Sequence, residues 1–172
     1  MELSPENLIK IFTSQDWKNR EKAIENIRKH KDTLRKYYDA AVKGKFSGWK
    51  KSLKGKLALI LIYDQIPRII FNDRRMYETD SIARRIADEL FKTGKYESFS
   101  EIEQLFIFLP FHHSENLKDQ KIANRVFERL YKKNPNEFEW IYKASKEYIE
   151  IIKKFGKFPW RDEVLGRNIE KD

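Results

Sequence analysis

Three stretches of this chain set reactive side chains directly against apolar runs. Phe108–Gln120 reads FLPFHHSENLKDQ and holds two of the three histidines. Asp64-Gln65-Ile66-Pro67-Arg68 follows the apolar LALILIY at 57–63, and Phe155–Arg167 reads FGKFPWRDEVLGR, where Arg161 and Arg167 flank Asp162 and Glu163. As chemistry, His113 would be a general base, with Glu115 or Asp64 as its orienter. Arg68, Arg161 and Arg167 would form an anion clamp, because a guanidinium matches a carboxylate or phosphate in a two-pronged fashion. The plainer reading makes each stretch a helix junction, with Ser114 or Asn116 as a cap and Asp–Arg pairs locking helix ends into the core. This junction reading is the expected one. On a helix the adjacent His112 and His113 would point about 100° apart. HHSE also lacks the H-E-x-x-H spacing of a helical zinc site, and the H-x-E deaminase pattern needs cysteines that the chain does not have. Neither a metal nor a cofactor is expected.

A fourth stretch offers different chemistry. KGKFSGWKKSLKGK, residues 43–56, sets Lys43, Lys45, Lys50, Lys51, Lys54 and Lys56 around Phe46 and Trp49, with no acidic residue. Lysines interleaved with aromatics can hold the phosphates of a nucleic acid and stack a base. The stretch is no P-loop: Gly48 and Gly55 are too far apart, and Leu57 stands where Ser or Thr would hold magnesium. The alternative is a solvated lysine fringe around an inward-packed Trp49, which fits the usual burial of tryptophan.

The chain that positions these groups has 172 residues, 40% apolar and 14% aromatic, enough for a real core. One all-helical domain over 1–172 is expected. The absence of cysteine excludes disulfides, thiolate catalysis and thiolate metal sites. MELSPENLIKIF does not read as a signal peptide, and no apolar run approaches the ~20 residues of a membrane helix. A cytoplasmic protein that does not enter a membrane is therefore expected. Charge is uneven: residues 1–56 carry 15 Lys/Arg against 7 Asp/Glu, a net of +8, out of +9 for the whole chain. Such a field favours acidic partners, nucleic acid among them.

Periodicity points to an all-α fold of about seven helices. Ser4-Pro5 opens the first. A long second helix runs from about Ser14 to Gly44, with Trp17, Ile24, Ile27, Leu34, Tyr38 and Ala41 on one face. A third runs from about Ser47 to Pro67 through the apolar stretch. Asp80 caps a fourth that stops at Gly94, and Ser100 with Glu103 forms a capping box ahead of Leu105, Phe106 and Leu109, with a break at Pro110. The sixth carries Ala123, Val126, Phe127 and Leu130. Asn134-Pro135-Asn136-Glu137 opens the last, which ends at Gly156. Short links between helices suggest antiparallel hairpins in a tetratricopeptide-like superhelix, although no 34-residue repeat fits.

Taken in order, Gly44, Trp49, LALILIYDQIPR, Asp80, FLPFHHSENLKDQ and IIKKFGKFPWRDEVLGR resemble the family known as domain of unknown function nine-hundred-twenty-four, over about 44–167. The resemblance implies a helical, tetratricopeptide-like fold and brings no established activity. Asp64, Gln65, Pro67, Arg68, Ser114, Glu115, Arg161, Gly166 and Arg167 keep the family's pattern. The departures are Ile69 and Asn72 after the first motif, and Lys157, Trp160 and Asp162 in the last, where the family favours Arg, His and Asn. Tyr148 stands at a further expected His, so of three histidines only His113 remains.

The expected function is accordingly a non-catalytic binding module for a peptide, protein or other acidic ligand. A small-molecule enzyme or anion-binding protein built on His113, Glu115, Asp64 and the arginines is one rival. Nucleic-acid binding through the basic first third is the other. No feature of the sequence sets an oligomeric state.

Overall fold

Residues 2–167 are described by a computed structural model, and among them every regular element is helical. They gather into two compact units, with the division at Pro110–Phe111.

The first unit begins with α1 (Pro5–Thr13), where Ser4 Oγ accepts the Asn7 N–H at 3.1 Å. The long second helix expected over 14–44 is in fact two, α2 (Arg20–Arg28) and α3 (Lys31–Val42). Between them the Lys29 and His30 N–H groups bond back three residues, to Asn26 O at 3.3 Å and Ile27 O at 2.9 Å, closing α2 with a tight turn. Arg28-Lys29-His30-Lys31-Asp32 supplies no apolar side chain to hold a further straight turn on the core. The apolar stripe survives the break, since Trp17, Ile27, Leu34, Tyr38 and Ala41 are all buried.

A 3-10 turn (Ser47–Lys51) then leads to α4 (Leu53–Ile60), capped by Ser52 Oγ on the Gly55 N–H at 3.0 Å. A Cβ on Gly55 would fall 2.0 Å from the Trp49 carbonyl oxygen. Glycine is what allows the turn to lie on the helix.

Pro67 does not end this helix as expected. A π-turn (Leu61–Gln65) carries it into α5 (Ile66–Ile70), with the Ile66 N–H reaching back five residues to Leu61 O. The proline lacks the N–H that would have bonded Tyr63 O. Thr79 Oγ1 bonds that carbonyl instead at 2.6 Å, and Arg68 takes the next, Asp64 O, at 2.8 Å. Two carbonyls at the irregular turn, Tyr63 O and Asp64 O, thus have side-chain donors.

Next come α6 (Asp80–Lys92) and α7 (Glu101–His112), with the Ser100–Glu103 capping box formed as read. Asp80 is inside the first turn of α6 and caps nothing; the N-cap position is Thr79. Pro110 likewise sits within α7, so the helix passes through the expected break.

The second unit is built on a hairpin of α8 (Leu117–Lys133) and α9 (Pro135–Phe155), joined through Asn134 alone. Asn116 Oδ1 caps α8 by accepting from Lys118 and Asp119 N–H. Ala123, Phe127, Leu130, Phe138, Ile141 and Ile152 form the buried seam. Gly156, at φ 69°, ends α9 in the left-handed conformation as expected, and the chain turns through a 3-10 segment (Pro159–Arg161) into the short α10 (Asp162–Leu165).

Candidate functional site

In the first unit Arg68 grips Asp80 with two hydrogen bonds, Nη1 to Oδ1 at 2.6 Å and Nη2 to Oδ2 at 2.8 Å, beside its bond to Asp64 O. Burial works against its charge. The bond to Asp80 and the fields of Asp64 and Asp80 outweigh that and hold the guanidinium above its ordinary value. Asp64 is fully buried and accepts from Gln65 Nε2 at 2.7 Å. The sequence reading missed Asp80 as the partner of Arg68, since a helix-opening aspartate reads first as a cap. In the sequence Arg68 reads as the nearest partner for Asp64; its side chain bonds the Asp64 carbonyl and gives its two-pronged contact to Asp80.

In the second unit Glu115, Arg161 and Arg167 come together. Arg167 makes a two-pronged contact with Glu115, Nη1 to Oε1 at 2.7 Å and Nη2 to Oε2 at 3.1 Å. The Phe158 N–H donates to Glu115 Oε2 at 2.6 Å, and Arg161 Nη1 lies 3.9 Å from Oε1. Arg161, 7% exposed, donates to the His113 carbonyl at 2.8 Å, which places His113 at the edge of the knot through its backbone. Asp162 closes the other side, accepting from Arg167 Nε at 2.9 Å and pairing with Lys157 at 2.8 Å. Among the described residues Lys157, Arg161 and Arg167 thus meet Glu115 and Asp162 in one ion-pair network.

Burial pushes the Glu115 carboxyl up. The Arg167 bond, the Phe158 N–H and the two arginine charges more than reverse this, leaving it below the ordinary range. The bond from Lys157, ahead of the Arg167 contact, likewise holds Asp162 low. A carboxylate held ionised by this many donors is a counter-ion and is ill-suited to passing protons at neutral pH.

Against this knot lies a cluster of rings that the sequence reading did not assemble. His112, buried, stacks on Tyr148 with centroids 4.1 Å apart and planes 6° from parallel, and meets Phe127 edge-on. Tyr148 touches Phe158 at 4.9 Å and Trp160 at 5.5 Å, and Phe158 stacks on Trp160 at 4.8 Å. Arg161 covers the Phe158 ring at 4.8 Å. The cluster grades from buried to open, and Trp160 at its rim is 50% exposed. Positions 148 and 160, where the resemblance implies histidines, are thus in ring contact, and both carry aromatics here. The signal in the sequence was those two departures themselves. Among the described residues, no group of three or more His, Asp or Glu side chains is placed to hold a metal ion.

The lysine stretch belongs to the first unit. Phe46 and Trp49 stack face to face at 3.8 Å and 13°, half-buried, each within 6.3 Å of the buried Tyr37. Lys43, Lys45, Lys50, Lys51 and Lys54 are exposed, while Lys56 pairs with Glu89 at 2.6 Å. Among the described residues no helix is long and apolar enough to cross a membrane.

The chain belongs to the family described as "Bacterial protein of unknown function (DUF924)", which it matches over residues 10–172. Among solved structures it is similar to a protein of unknown function from Agrobacterium tumefaciens, with a TM-score of 0.78 and 29% identity over 96% of this chain and 92% of that one. No match is found among curated proteins.

Proposed function

We propose that this chain is a non-catalytic binding module that takes an acidic peptide segment on the aromatic and cationic rim of the second unit. The observation that carries this reading is the ring cluster of Tyr148, Phe158 and Trp160, open at Trp160 and set against a knot that contains Lys157, Arg161 and Arg167. An exposed indole backed by stacked rings offers a rigid apolar face, and the neighbouring Lys157 and arginines favour carboxylates around whatever docks there. The acid–base reading loses support at the same place. Glu115, the nearer orienter for His113, is bonded to Arg167 and the Phe158 N–H instead.

Isothermal titration with a glutamate-rich peptide carrying a central phenylalanine tests the reading. Saturable binding that weakens with salt and disappears in Trp160→Ala is the expected result. Multiple-turnover product formation from any member of a broad metabolite panel would contradict it.

A further inference from the structure

We infer that the first unit carries a separate binding face for single-stranded nucleic acid, formed by Lys43, Lys45, Lys50, Lys51 and Lys54 around the stacked Phe46–Trp49 pair. No acidic residue occurs between Asp39 and Asp64, so the stretch holds positive charge without internal neutralisation. Only Lys56 of its six lysines has a carboxylate within ion-pairing distance among the described residues, at Glu89. The other five point their charge into solvent.

Solvated lysines are common and by themselves mark nothing. What sets this group apart is that its scaffold is fixed. The Gly44 and Lys45 N–H groups close α3 onto Ala41 O and Ala40 O at 2.9 and 3.0 Å. Ser52 caps α4, and the Trp49 carbonyl lies so close to Gly55 that no side chain fits there. Phe46 and Trp49 are half-buried in their stack and both contact the buried Tyr37, so the ring surface they leave accessible is held in place next to lysines on either side in sequence. A fixed apolar ring surface among solvent-facing cations matches a base flanked by phosphates, and stacking of this kind accepts any base. The face ends where Lys10 and Lys54 share a recess of about 180 Å³ with Glu6 and Glu103, whose charges repel a phosphate chain.

The second unit supplies an internal control. Arg125, Arg129, Lys132 and Lys133 line a recess with Glu128, which pairs with Lys132 at 3.1 Å, and no aromatic residue is among those that line it.

The test is fluorescence anisotropy of the full chain with a labelled oligothymidylate at low salt. Binding through three phosphates gives a log–log salt slope of about −2, so a fourfold rise in salt weakens it about fifteenfold. Lys50→Glu with Lys51→Glu is expected to cost about tenfold or more, Lys132→Glu with Lys133→Glu about twofold at most, with circular dichroism showing both variants folded. An abasic oligonucleotide of equal length is expected to bind about tenfold more weakly, since it offers nothing to stack. No binding at low salt, equal loss in the two double variants, or equal affinity for the abasic chain would each overturn the proposal. So would co-sedimentation with phosphatidylserine vesicles alongside no oligonucleotide binding, which would assign the face to an anionic membrane surface.

Discussion

Arg68 in the first unit and Arg167 in the second are built into their surroundings by the same device, a two-pronged bond to a carboxylate plus a bond to a backbone carbonyl. Their settings differ in what lies beside them. Around Arg68 the donors and acceptors close on one another: Asp80 takes the guanidinium, while Thr79 and Arg68 take the carbonyls released by the π-turn and Pro67. Around Arg167, Lys157, Arg161 and Arg167 meet Glu115 and Asp162, and a half-exposed Trp160 lies beside them. An arginine–carboxylate pair therefore says little about function by itself. The exposed ring next to the second pair is the feature that the first pair lacks and on which the proposed docking rim rests.

The largest expected effect comes from breaking the second knot. Glu115→Ala leaves the buried Arg161 and the Arg167 fork without their shared counter-ion, and a loss of about 3 kcal/mol in urea unfolding is expected, the usual scale for stranding a buried partner. Arg68→Ala should cost slightly less, about 2.5 kcal/mol, because Asp80 lies in the first turn of α6, where the helix N-terminus favours its charge. Thr79→Val keeps the shape of the side chain but leaves Tyr63 O without its donor, for about 1 kcal/mol in the same titration. Trp160→Ala should alter stability by no more than about 0.5 kcal/mol, as for other exposed positions, while abolishing peptide binding.

The second junction also responds to acid. In the folded chain Glu115 and Asp162 sit below the ordinary carboxylate range, so the folded state binds their protons less readily than the unfolded state does. The stability they contribute is complete above the unfolded carboxylate values, near about 4, and is lost as pH falls through their lower folded values. Unfolding free energies measured from pH 7 down to pH 3 should fall along this limb, and Glu115→Gln should flatten it.

The helical class was legible because apolar spacing, capping boxes and glycine stops are local signals, as at Ser100–Glu103 and Gly156. Where local rules failed, a distant residue had supplied what the chain lacked. Pro67 reads as a stop because nothing nearby replaces its missing N–H, whereas Thr79, twelve residues on, bonds the freed carbonyl. Asp80 reads as a cap until Arg68 is placed against it. In the sequence Glu115 reads as an orienter for His113, and Arg161 and Arg167 as an anion clamp or as locks on helix ends. That they partner one another depends on a turn of chain after Gly156 that periodicity cannot fold. Tyr148 and Trp160 registered only as departures from a family pattern, since ring contact across 12 positions has no sequence signature.

The most direct test of the docking-rim account follows the indole N–H resonances of the four tryptophans while the glutamate-rich peptide is titrated into isotopically labelled protein. The account predicts that the Trp160 signal moves saturably, that the buried Trp17 signal stays in place, and that added salt reverses the shift. A Trp160 resonance that stays still at saturating peptide, or shifts indifferent to salt, would contradict it.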